Sequence, residues 1–172
     1  MKKISMIVLT VLTFGMTSCD MDKMPYDAIP AEEALTTIVG FEEARAGIYS
    51  VYLGLTGGSY VLAPEVQADA FNAVADFSNK YGELHRWTFE STNSTVETIW
   101  ANCYAAIGRA NFFIDGVGKI DENPEIELTE IQKQQINVYE GEAYFTRAYC
   151  YFYLATLFCR DYDVATAANT PG

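Results

Sequence analysis

Few residues of this 172-residue chain combine a type and a spacing suited to covalent catalysis. Two carboxylate pairs, Glu65/Asp69 and Glu140/Glu142, have spacings that could set an acid and a base about 5 to 10 Å apart, as glycoside cleavage requires. With 23 acidic residues, such pairs arise by chance. His85 is the only histidine and has no catalytic partner or second metal ligand in sequence. No G-x-S-x-G, H-E-x-x-H or glycine-rich phosphate loop is present. An enzyme is therefore not expected. Noncovalent sugar capture asks for less: aromatic faces to stack on C–H surfaces, and amides or acids to meet hydroxyls, in a shallow exposed site. Trp87 and Tyr81, with Asn79 and His85 nearby in polar sequence, are the candidates. No motif fixes them, and Trp87 has a competing reading, in which it tucks onto a helical core.

Cys19 is the residue placed for covalent modification. "MKKISMIVLTVLTFGMTSC" has a basic start, an apolar run from Ile4 to about Gly15, and small residues before Cys19. That run is too short to cross about 30 Å of hydrocarbon, which takes about 20 residues. It reads as a secretory signal peptide over 1–18. The cysteine at the cleavage end resembles a bacterial lipobox, in which that residue is lipidated and becomes the first of the mature chain. Met16-Thr17-Ser18 departs from the commonest lipobox pattern. "DMDKMPYDAIP" then reads as an extended leash, so that 19–30 would tether a domain beginning at residue 31. The other cysteines, Cys103, Cys150 and Cys159, show no zinc-site spacing and are expected as small buried hydrophobes. Cys150 and Cys159 would lie about 13 Å apart on one helix, too far to bridge.

The net charge is −12, from 11 basic and 23 acidic residues, and no basic run follows Lys2-Lys3. A nucleic-acid partner is disfavoured, because phosphate affinity rests on clustered cations.

The elements that must position these side chains are helical. "FEEARAGIYSVYLGL" places Phe41, Ala44, Ile48, Val51, Tyr52 and Leu55 on one stripe, with Arg45 on the other side and Gly57-Gly58 at the end. A short turn around "PAEEALTT" precedes it. Residues 57–93 read as a loop-rich excursion with a short helix near 64–70, too long for a bare connector. Ser94 and Glu97 suggest a capping box opening a helix whose face carries Val96, Trp100, Cys103, Ile107, Ala110 and Ile114. A second box, Thr129 with Gln132, opens a long helix running to about Cys159. From Ala143 its aromatics lie on all sides, which predicts neighbours all round, approaching at Gly141, Ala143, Ala148 and Ala155. Glu140, Glu142 and Arg147 interrupt any membrane-spanning run. A buried Arg147 needs a partner, and Asp69 is the expected acid. Ala148 with Phe152, and Trp100 with Tyr104, are similar to the small-to-large pattern of tetratricopeptide helix pairs.

In this order, the lipobox, "FEEARAGIYSVY", "QADAF", "IWANCYAAIGRANFFID" and "GEAYFTRAYCYFYLATLF" followed by "RDYDVATAANTPG" resemble the amino-terminal region of SusD/RagB-type nutrient-binding lipoproteins. The last block is the most specific, through Gly141, Glu142, Ala143, Phe145, Arg147 and Ala148. The resemblance implies an all-α protein built on tetratricopeptide-like helix pairs and lipid-anchored on a Bacteroidetes outer membrane. It implies a lid on a TonB-dependent SusC/RagA-type transporter that captures glycans or peptides without turnover and without an obligatory cofactor. A helical adaptor that only associates with the transporter is the other reading. Family members are much longer, so the chain is expected to be their amino-terminal part, with exposed apolar surface. Cys159 stands where the family usually has glycine.

Overall fold

The computed structural model describes residues 29–75, 78–124 and 126–160. The expected leader at 1–18, the lipidation site Cys19, nearly all of the 19–30 leash and the block after Arg160 lie outside the described residues. The chain divides at Pro30 into two units, and every helix below belongs to the second. These are α1 (Ala31–Ala34), α2 (Ile38–Leu55), α3 (Ser59–Gln67), α4 (Gly82–His85), α5 (Ser94–Gly118) and α6 (Glu130–Phe158). No strand occurs among the described residues, so the fold is all-α.

Each long helix starts at a side chain that takes up backbone N–H groups left without a partner in the first turn. The Thr37 hydroxyl accepts from the Gly40 amide at 3.2 Å and opens α2. At α6 the capping box forms as expected: the Thr129 hydroxyl accepts from the Gln132 amide, and the Gln132 carbonyl oxygen accepts from the Thr129 amide. At α5 the cap is Asn93, one residue before the expected Ser94. Its Oδ1 accepts from the amides of Thr95 (3.0 Å) and Val96 (3.3 Å). Asparagine caps as well as serine does.

Contacts set the packing directions. Arg45 meets Glu142 and Tyr52 meets Tyr149, so α2 and α6 run parallel. Phe41 meets Phe113 while Gly47 meets Arg109, and Trp100 meets Phe158 while Asn111 meets Arg147, so α5 is antiparallel to both. At one end of this layer the fully buried rings of Phe41 and Phe113 stand edge to face, 5.6 Å apart, among Ile48, Ala110, Ile136 and Ala143. Each such ring contributes roughly 1.5–3 kcal/mol by its burial. At the other end Cys103, Ala106, Cys150 and Leu154 pack with Leu55, Tyr60 and Leu84.

Three packing expectations change. Trp100 is exposed, because the buried stripe of α5 runs through Ile99, Cys103, Ala106, Ala110 and Phe113, turning the indole off the core. Cys159, just past the end of α6, is exposed, whereas Cys103 and Cys150 are buried as expected. Around α6 only one side is covered among the described residues: Ala143 is buried, while Tyr144, Phe145, Tyr151 and Phe152 remain exposed.

The expected helix near 64–70 is instead Ser59–Gln67, with Pro64 inside it. Proline lacks the N–H that would bond the carbonyl four residues back. That carbonyl belongs to Tyr60, and the Tyr153 hydroxyl of α6 donates to it. No helix among the described residues is long and apolar enough to cross a membrane.

Candidate functional site

The segment between α3 and α5 holds every sugar-contact candidate. It begins where α3 ends: the Asp69 amide bonds the Val66 carbonyl (3.3 Å) and the Ala70 amide bonds the Glu65 carbonyl (2.9 Å). This paired pattern puts the residue after the cap in the left-handed region, usually as glycine. Here that residue is Asp69, at φ 60°. The segment then turns through Ser78 (φ 61°) and Asn79 (φ 49°) to Tyr81 (φ 62°), which precedes α4.

The α4 turn ends in the same way as α3. The Trp87 amide bonds the Leu84 carbonyl (3.2 Å) and the Thr88 amide bonds the Glu83 carbonyl (2.9 Å). The left-handed residue is now Trp87, at φ 54°. A bulky residue there is unusual, and such strained positions concentrate at functional sites. The indole is 66% exposed, so it does not tuck onto the core. Among the described residues its ring neighbour is Phe89, at 6.2 Å and tilted by 44°. Phe89 is half-buried and packs on the core, where with Leu84, Ile99 and Leu157 it lines a cavity of about 120 Å³.

Tyr81 and Asn79 are held from the other end of α4. The Tyr81 hydroxyl pairs with Ser59 Oγ on α3 at 3.0 Å, and Lys80 Nζ sits 5.2 Å from its ring centre. The Asn79 carbonyl oxygen accepts from Arg86 Nη1 at 3.2 Å, and the Asn79 backbone carbonyl accepts from the Gly82 amide at 2.8 Å. Gly82 is buried under Asn79, and a Cβ there would collide with the amide group. Asn79, Tyr81 and Trp87 are thus tied to one short helix, Tyr81 at its start and Trp87 just beyond its end. His85 Nδ1 lies 3.4 Å from the Val66 carbonyl and 3.6 Å from Asp69 Oδ1, joining α4 to the end of α3.

The expected Arg147–Asp69 pair does not form. Arg147 Nη1 donates to Asn111 Oδ1 on α5 at 2.9 Å, and its guanidinium stacks 4.9 Å from the Tyr144 ring centre. Arg147 is half-exposed, so an amide and a ring suffice where a fully buried cation would need an acid. The ion pair that does tie two helices is Arg45–Glu142. Nε donates to Oε2 at 2.5 Å and Nη2 to Oε1 at 2.9 Å, and the guanidinium lies between the rings of Tyr139 (4.4 Å) and Tyr49 (5.1 Å). This bidentate bond holds the Glu142 carboxyl below the usual carboxylate range and the Arg45 guanidinium above its ordinary value. The signal in the sequence was a charge next to each apolar stripe, with nothing to match partners 97 residues apart.

Two of the spaced carboxylates have basic partners in the structure. Glu142 is engaged by Arg45, and Asp69 faces His85 while Glu65 lies exposed. Beside the ion pair, Tyr49, Tyr52, Val138, Gly141 and Phe145 line a groove of about 450 Å³ between α2 and α6.

A family model described as SusD-like, starch-binding and associating with outer membrane matches residues 25–171. SusD-like protein P2 of Formosa agariphila is 26% identical over 163 residues, which cover 91% of this chain and 29% of that protein. The chain thus spans less than a third of the length of that curated relative. No solved structure matches it.

Proposed function

This chain belongs to the SusD-like family of starch-binding proteins that associate with the outer membrane, and on that premise we propose that it captures a glycan at the excursion carrying Trp87. The observation that carries this reading is the exposed indole at a left-handed position, where glycine would be the unstrained choice. Trp87 serves as the stacking face, Asn79 as a hydroxyl partner and Tyr81 as a second aromatic edge. The family is one of binding proteins, and the capture involves no turnover. Cys19 carries the lipid anchor, which holds the chain on the outer face of the outer membrane, and the glycan passes to a TonB-dependent SusC-like transporter. Stable anchoring needs more than one acyl chain, since each buried CH₂ contributes about 0.8 kcal/mol.

Titrating the chain with soluble starch and maltooligosaccharides, wild type against Trp87→Gly, tests the reading. We expect affinity to fall about tenfold or more, equivalent to about 1.4 kcal/mol. Equal binding by the two proteins would overturn the site. Cys19→Ala should move the protein from the membrane fraction to the soluble fraction.

A second reading, an adaptor that associates with the transporter without taking a glycan, is favoured by the exposed rings of Tyr144, Phe145, Tyr151 and Phe152 on α6. Transporter co-purification in the absence of any glycan binding would select it.

A further inference from the structure

We infer that the glycan captured at Trp87 carries a short O-linked acyl group, and that this group enters the apolar cavity behind Phe89; the inference deepens the capture reading above and rests on it. The cavity measures about 120 Å³ and lies where α3, α4, α5 and the end of α6 meet. Ala63, Leu84 and Ile99 line it and are buried, whereas Phe89 and Leu157 are half-buried and Phe158 is exposed, so it opens to the surface. Two of its lining rings pair with the two tryptophans of the chain. Phe89 lies 6.2 Å from Trp87, Phe158 stands edge-on to Trp100 at 5.1 Å, and both indoles are exposed.

The lining decides what can enter. Among the described lining side chains, Gln67 alone is polar. A sugar ring carries hydroxyls around its edge, and each one buried without a partner costs free energy, so the ring stays outside on the indole. A water would need about two to four polar partners, which one amide does not supply. An apolar cavity of about 150 Å³ takes a benzene ring. At about 120 Å³ this one suits a smaller guest, an acyl chain of about two to four carbons. Gln67 is half-buried, and its amide offers a donor to the ester carbonyl. Affinity rises about fourfold for each CH₂ removed from water. Phe89 belongs both to the cavity wall and to the indole's surroundings, so a sugar stacked on Trp87 sends its substituent past this one ring.

Calorimetric titration of the full chain with partially butyrylated maltooligosaccharides, against the same oligosaccharides after alkaline removal of the esters, tests the cavity. We expect wild type to bind the butyrylated chains tighter by about tenfold or more. That advantage should fall to about twofold or less in Ala63→Leu and in Val96→Phe, which fill the cavity from α3 and from α5. Benzene gives a readout independent of sugar: it should raise the melting temperature of wild type and leave that of Ala63→Leu unmoved. Equal binding of the two oligosaccharides by wild type would overturn the inference and leave capture at Trp87 standing. Binding of neither would overturn both. An acyl advantage that persists in a filled variant that still melts cooperatively, or a wild-type melting temperature that benzene does not move, would overturn the cavity as the place where the acyl group binds.

Discussion

The Tyr153 hydroxyl donates to the Tyr60 carbonyl, the acceptor that Pro64 leaves without its helical partner inside α3. The same Tyr60 sends its own hydroxyl to the carbonyl of Ile99 at 3.2 Å on α5. One proline thus produces a link by which α6 and α5 together hold α3, the helix on which the Trp87 excursion is anchored through Ser59 and Val66.

Tyr153→Phe is expected to cost about 1–3 kcal/mol, the penalty for stranding a buried acceptor. In a Pro64→Ala background the loss should be smaller, since residue 64 then supplies the missing N–H to Tyr60. Chemical denaturation of the four proteins of this cycle measures the coupling, and strictly additive losses would contradict it.

The Arg45–Glu142 pair predicts a share of the acid sensitivity. Glu142 holds its proton less readily in the folded chain, below the ordinary value of 4.5. Its contribution is therefore present above that value and is lost as pH falls through the lower folded one. Because both groups are partly exposed, solvent screening leaves about 1 kcal/mol or less. Glu142→Gln should lower stability by that amount at neutral pH and narrow the gap from wild type as the carboxylate range is crossed. A gap constant with pH would rule the pair out as the source.

At both left-handed caps a glycine should relieve strain. Asp69→Gly and Trp87→Gly are each expected to raise stability by about 1 kcal/mol. Asp69 loses little besides, since its contact with His85 is long and its carboxylate exposed. The two variants should differ in function, with glycan binding kept by Asp69→Gly and lost by Trp87→Gly. A fall in melting temperature for Asp69→Gly would contradict the strain.

Alkaline conditions should also loosen the fold. Burial pushes the Tyr60 and Tyr153 phenols from 10.0 up to about 12. Both are protonated in the folded chain where an unfolded one would ionise, so their contribution is intact below 10 and declines as pH rises through about 12. Phenolate absorbance from these two rings should appear together with unfolding, and should precede it if the rings titrate in the native state.

Helix positions were legible in the sequence because a period and a cap are local. The stripe through Phe41, Ile48 and Leu55 and the Thr129/Gln132 box each lie within a few turns, and both stand in the structure. The all-α class and the family followed from the same blocks, of which residues 141–148 were the most specific. Trp87 and Tyr81 were legible as candidates because no helical stripe was available to bury them. What the residues alone determined was therefore helix, cap and excursion, together with the absence of any cluster of cations suited to nucleic acid.

Partnership was decided only by tertiary structure. Whether Glu142 would meet Arg45, or Arg147 would meet Asn111, depends on how the helices are rotated and staggered against each other. Cys103, Ile107 and Ala110 of the expected α5 stripe are buried, but a small rotation of the face brings Ile99 inward in place of Trp100 and turns that ring from core to surface. Those rotations follow from the whole set of close-packed side chains at once, with Ala106, Ala110 and Ala143 letting the axes approach. Local chemistry carries a helix as far as its ends, and only dense packing across dozens of residues of separation selects which charge or ring faces which.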